Sequence, residues 1–295
     1  MNVEMWAGVV ALVVVPVLVV SVAGNVSRAA PRMAERARSS HGRRALDACI
    51  DELTGLVPAA LIVLAGVTAT VALCWVLGLG AHAVQGSVDW PVFRWFERHQ
   101  NEGWTDVWWK LTNIGSPMVT QNLAVVGAVV LTFVWRRRIW WLPAVALFLG
   151  YVIEKYGQIV LKLAVDRGHP PTTLGTWPSG GCARVIIIYG LIVYLGIRVL
   201  SPRSRRAWVA GAGFVSLALT VQAYARLNNL EHWFTDVLGG IVYGTAILAI
   251  MVASAEVVQH GRSRTELGRR HSKGVRVRPV PETAVLSATG GNDRD

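Results

Sequence analysis

The chain has 295 residues, 53% of them hydrophobic, with a mean hydropathy of +0.43 and a net charge of +11. That much apolar content excludes a water-soluble enzyme of one or two domains and predicts an all-α, polytopic membrane helix bundle. The positive charge does not point to a nucleic-acid partner, because it is spread over connections between apolar runs rather than gathered on one polar module.

A bilayer core about 30 Å thick takes about 20 apolar residues per helical span. Seven windows meet that requirement: 5–22, 56–79, 118–135, 139–161, 185–200, 207–224 and 237–258. The first belongs to an N-terminal anchor, residues 1–24, and is preceded by "MNVEM", which carries no Lys or Arg. A cleaved signal peptide wants a basic leader, so an uncleaved anchor with its N-terminus outside is expected. A basic loop follows at 25–55, then a six-span domain at 56–258 and a tail at 259–295.

Arginines concentrate in four places: 28–44, the triplet Arg136, Arg137 and Arg138, the turn with Arg203, Arg205 and Arg206, and the tail. Seven spans put all four on one face, which the retention of positive loops assigns to the cytoplasm of a plasma-membrane protein. The tail is polar and basic without apolar periodicity, so disorder and adhesion to anionic membrane lipids are expected. Cys49, Cys74 and Cys182 have neither disulfide nor zinc spacing, and neither metal nor cofactor is expected.

Between the second and third spans, Trp90, Trp95, Trp104, Trp108 and Trp109 recur at roughly helical spacing beside Arg94, Glu97, Arg98 and Asp106. This predicts amphipathic helices at the interface, serving as an aromatic belt or as a rim past which a lipid enters.

The chemistry gathers at the external span ends, in "KLAVDRGHPP", "WPSGG" and "ARLNNLEHWFTDVLGG". Ionisable groups there are costly unless solvated or paired, so three such loops on one side are informative. His232 and Asp236 are four residues apart, on one helical face, so the carboxylate can orient the imidazole as a nucleophile or base. Arg226 offers a forked donor set to phosphate oxygens. Lys162 and Arg167 add charge from a second loop. Ser179, with the amides of Gly180 and Gly181, adds neutral donors from a third. Each alone has a bland reading, as a cap, a snorkelling anchor or a turn. Together they could surround a tetrahedral oxyanion.

The three loops resemble the signature of the phosphatidic acid phosphatase type 2 and vanadium haloperoxidase superfamily, which reads K-x6-R-P, P-S-G-H and S-R-x5-H-x3-D. Here Lys162 is followed after six residues by His169 and Pro170, and Pro178 to Gly181 read P-S-G-G. Arg226 is followed after five residues by His232 and after three more by Asp236. "LTNIGS" and "DVLGG" are also similar to members of that superfamily. The resemblance covers 56–258 and implies a membrane lipid phosphatase or diphosphatase, its site outside. His232 would form a phosphohistidine, Asp236 would orient it, and Lys162, Arg226 and the Ser179-Gly180 loop would hold phosphate, with Arg167 assisting.

Three positions depart from the pattern: His169 stands for arginine, Ala225 for serine, and Gly181 for the histidine that protonates the leaving oxygen. A lipid phosphate ester, with its alkoxide leaving group, depends on that acid, whereas a polyprenyl or other lipid diphosphate expels a phosphate and depends on it less. Alternatively His169 supplies the proton. Two further readings stay open: a lipid-phosphate-binding protein with impaired catalysis, and a lipid phosphotransferase.

Overall fold

The computed structural model describes residues 40–136, 139–172 and 176–274, with side chains between 55 and 260. The expected N-terminal anchor and the tail beyond 274 lie outside that description. Eight helices are labelled here: α1 Ser40–Ala83, α2 Trp90–Arg98, α3 Thr105–Leu111, α4 Pro117–Val134, α5 Leu142–Val165, α6 Gly180–Leu200, α7 Arg205–Asn228 and α8 Phe234–Gly274. The middle of α6, Val185–Tyr189, is wound as a π-helix. No strand occurs among the described residues. Six helices (α1, α4, α5, α6, α7 and α8) are long and apolar enough to cross a membrane, so the protein is a multi-pass membrane helix bundle.

Local chemistry sets the helix ends. Ser116 accepts from the Val119 amide, with Pro117 at the first helical position of α4, and Ser204 accepts from the Ala207 amide at the start of α7. The end of α7 is closed by the Glu231 amide donating to the Arg226 carbonyl at 3.0 Å, with Leu230 left-handed at φ 55°. Glycine is the usual residue there, but Leu230 uses its side chain to pack against Phe93 and Trp233.

The helices overrun the apolar windows. α5 continues to Val165 and so includes Lys162, α6 begins at Gly180, and α7 reaches Asn228 and so includes Arg226. Hydropathy marks the stretch of helix matched to hydrocarbon, whereas caps decide where it stops. Two expectations are corrected on the same ground. The basic loop at 25–55 is helical from Ser40, and the tail expected to be disordered from 259 continues α8 to Gly274. No proline interrupts either stretch, so a helix already nucleated in the membrane propagates.

α5, α6 and α8 form the inner layer, joined by Leu147, Ile153, Leu161, Ile187, Leu191, Tyr243 and Ile247. α7 is the most lipid-facing: only 6% of its span is buried, against 56% for α6. Its buried residues, Gln222, Ala225 and Asn228, lie on one stripe near its end. An apolar recess of about 580 Å³ opens between α1, α5 and α8, lined among others by Val63, Val67, Met251 and Ala255, and includes none of the motif residues. α2 and α3 lie between α1 and α4, as the tryptophan spacing predicted. Phe93 turns inward to Trp233, while Trp95, Trp104 and Trp109 are exposed.

Candidate active site

At the end of the bundle opposite the arginine-rich turns, α5, α6, the α7–α8 turn and the "LTNIGS" segment meet. His232 lies in the turn before α8 and is 7% exposed. Its Nδ1 stands 3.5 Å from Oδ2 of Asp236, an ion-pair separation longer than a good hydrogen bond. Asp236 is fully buried at the third position of α8, where Oδ2 also accepts from the Trp233 amide at 3.2 Å. The carboxylate thus starts the helix and faces the imidazole at once. Burial pushes the His232 pKa below its ordinary value; Asp236 opposes that shift, and Arg226 and Lys162 reinforce it.

Arg167 does not present its whole guanidinium to an incoming anion, as the sequence reading supposed. Nη2 pairs with Asp89, and Nη1 lies 3.2 Å from Oδ1 of Asp236 and donates to Thr235 Oγ1 at 2.6 Å. Asp89 also accepts from the Thr235 amide at 2.9 Å. All three charged side chains are fully buried, so Arg167 fixes Asp236 from behind.

The "WPSGG" stretch is pinned to the same place. The Ser179 amide donates to the Asp236 carbonyl at 2.9 Å, and Gln158 Nε2 donates to the Pro178 carbonyl at 3.1 Å. The approach is too close for side chains. A Cβ at Gly180 would meet Gln158 at 2.1 Å, and one at Gly240, in "DVLGG", would meet the Ser179 carbonyl at 2.3 Å. Ser179 Oγ is buried with no partner stronger than the Cys182 thiol.

Arg226 pairs through Nη1 with Glu231, which also accepts from Thr112 Oγ1, and leaves Nε buried without a partner. Lys162 is half-buried, within electrostatic reach of Asp236, Arg226, Arg184 and Glu154, and has no carboxylate in contact among the described residues. Gly181 Cα faces Gln222 and Arg226. His169 stands apart: it is exposed, its Nδ1 is 2.6 Å from the Pro170 carbonyl, and no hydrogen bond or ion pair joins it to His232, Asp236 or Arg226 among the described residues.

Sequence reasoning missed Asp89, Glu231, Gln222 and the Glu154–Arg184 pair. Arg184 Nη1 lies 3.1 Å from Glu154 Oε1, and its Nε donates to the Gly115 carbonyl. The available signal was membrane cost: an acid and a glutamine inside apolar windows, and a base at the edge of one, need partners and could have been paired by that argument. "LTNIGS" gains a role here, since Thr112, Ile114 and Gly115 hold Glu231, Tyr189, Gln222 and Arg184. No group of three or more His, Cys, Asp or Glu side chains among the described residues could hold a metal ion.

The arrangement is a buried, oriented imidazole beside several buried donors that lack acceptors. Such donors are costly when empty, and an oxyanion satisfies them. The bundle shares its fold with the crystal structure of the first transmembrane PAP2 type phosphatidylglycerolphosphate phosphatase from Bacillus subtilis, at a TM-score of 0.55 and 19% identity. The match covers 63% of this chain and 94% of that one. No family model matches the sequence, and no curated protein matches it.

Proposed function

We propose that the protein is a membrane lipid phosphatase or diphosphatase of the phosphatidic acid phosphatase type 2 superfamily, acting at the outer face through a phosphohistidine. His232 Nε2 attacks the terminal phosphorus. The N–P bond forms as the P–O bond to the leaving group breaks, and the bonding pair goes to that oxygen. Asp236 offsets the imidazolium charge, while Lys162, Arg226 and Ser179 hold the phosphoryl oxygens. Water then attacks phosphorus and loses one proton to bulk solvent, the N–P pair returns to the imidazole, and the water's second proton stays on the released phosphate.

The observation that carries this reading is the convergence around His232 of buried donors, Arg226 Nε without an acceptor and Ser179 Oγ with only the Cys182 thiol. The substrate is a lipid whose leaving group needs little protonation, such as a polyprenyl diphosphate. Supporting that choice, Gln222 and Arg226 face Gly181, and neither is a proton donor near neutral pH.

Purified protein in detergent is to be given polyprenyl diphosphate, phosphatidylglycerol phosphate and phosphatidic acid, with and without a primary alcohol, and released phosphate measured. Release that is fastest from the diphosphate and lost in His232→Ala supports the proposal. Phosphoryl appearing on the alcohol makes the protein a transferase. Anion binding without turnover of any lipid makes it a binding protein.

A further inference from the structure

The apolar recess between α1, α5 and α8 lies toward the end of the bundle away from His232. It is lined by α1 from Leu56 to Val67, by the start of α5 from Trp141 to Tyr156, and by α8 from Met251 to Val258. Its floor, Val63, Val67, Ala146 and Ile153, is buried, whereas Val145 and Phe148 on its rim are exposed. The mouth therefore opens on the lipid-facing surface. No charged side chain among the described residues lines it, and Ser254 satisfies its hydroxyl on the Ile250 carbonyl at 2.8 Å, so its occupant is apolar. Protein interiors tolerate few voids larger than a water molecule, so a recess of about 580 Å³ is filled.

The chain itself carries an apolar occupant. Residues 1–39 lie outside the described residues and contain the apolar run 5–22, half of it valine. α1 enters the bundle at the same end as the recess, and its first turns carry it about 24 Å beyond Leu56, at 1.5 Å per residue from Ser40. The 17 residues 23–39 that join the run to α1 reach up to about 58 Å when extended, more than enough to return. They include Arg28, Arg32, Arg36 and Arg38, which hold the connection on the arginine-rich side and bring the Val22 end of the run level with the recess. Spans associate in lipid by close packing, and a concave apolar surface offers more of it than the convex faces of the bundle. Valine is held to one rotamer in a helix, so a valine-rich span loses little side-chain freedom there.

We propose that residues 5–22 cross the membrane in this recess as a seventh span, with residues 11–22 against its lining, bracing α1 against α5 and α8. This does not depend on the phosphatase reading. The run then lies antiparallel to α1 and α5 and parallel to α8. Val63 and Phe148 stand seven residues inward from Leu56 and Trp141, and Val15 stands seven inward from Val22, so the three share one depth, about 10 Å from the membrane edge.

Phe148→p-benzoylphenylalanine tests this without disturbing the core, because the ring it replaces is already 66% exposed. The full chain in phosphatidylcholine vesicles is to be irradiated and then digested with trypsin, which releases residues 1–28 and 139–155 as separate peptides. The expected result is a covalent adduct of those two peptides from protein of monomer mass. The same photoprobe at Phe133 or Leu217, exposed on α4 and α7, should give no adduct with residues 1–28. Adducts with phosphatidylcholine alone at position 148 would mean that lipid fills the recess, and a cross-linked dimer would make the occupant a second copy; either overturns the proposal. So does an adduct formed equally from all three positions, since the run would then have no preferred seat. As a second readout, Ala60→Trp fills the recess from half-buried ground on α1 and should remove most of the adduct at 148. Full retention of the adduct in that variant, with thermal unfolding in detergent like that of the wild type, overturns the proposal as well.

Discussion

Nδ1 of His232 stands 3.5 Å from Oδ2 of Asp236, and burial outweighs that carboxylate in setting the protonation of the ring. The imidazole therefore stays neutral below the ordinary histidine pKa of about 6.5. A nucleophile must be neutral, so the acid limb of kcat/KM should have its midpoint below that value. The limb should move lower still in Asp236→Asn, which removes the opposing influence, with kcat falling about a hundredfold or more. A limb centred above about 6.5 would contradict the burial argument. Stability follows the same sign: the unfolded chain takes up the proton first as pH falls, so His232 destabilises the fold progressively below about pH 6.5. Replacing it with Gln should flatten that slope.

Asp89 and Arg167 form a fully buried pair that holds Asp236 from behind. Asp89→Asn leaves the guanidinium short of one compensating charge in a dry site. Unfolding in detergent should show a loss of about 3 kcal/mol or more, with turnover reduced because Asp236 is no longer fixed. Adding Arg167→Met should restore part of the stability and none of the activity. If Asp89→Asn is as stable and active as the wild type, the pair is not what positions Asp236.

The six-span bundle was legible in the sequence because hydropathy and charge sidedness report the bilayer directly. The pairing of His232 with Asp236 was legible because their spacing is local, and Arg226, Lys162 and Ser179 were gathered with them as candidates through the resemblance of three short motifs. What escaped is non-local. Asp89 lies 78 residues from Arg167, and Gln222 lies 107 residues from Gly115, distances at which no periodicity operates. Arg167 was read as a phosphate ligand because its charge was visible and its two carboxylate partners were not. His169 was read as a relocated acid because it adjoins a motif, but the turn at Pro170 directs Nδ1 to a backbone carbonyl.

Glu154 and Arg184 make a second buried ion pair, 3.1 Å apart, within the spans of α5 and α6. Breaking such a pair strands a charge in low dielectric, while removing both ends removes the need for either. Glu154→Gln alone should therefore destabilise the protein by about 3 kcal/mol or more, as should Arg184→Met, and the double variant should recover most of that loss. Arg184 also braces the Gly115 carbonyl, so the double variant should keep a small activity deficit. Strict additivity of the two losses would show that the groups do not act as a pair.

Gly181→His separates crowding from chemistry. A histidine there would offer an acid to a lipid phosphate monoester, but its Cβ would fall 2.6 Å from Gln222 Nε2 and 2.9 Å from Arg226. The single substitution should therefore lower activity on every substrate. Gln222→Ala removes the obstructing amide, so the double variant should exceed Gly181→His on phosphatidic acid by about a hundredfold or more, the low end of what misplaced packing and a lost acid cost. The gain should follow a bell-shaped pH profile, as a histidine acid requires, and should be absent with the diphosphate. Monoester turnover no better in the double variant than in Gly181→His would mean that Gln222 is not what keeps a side chain out of position 181.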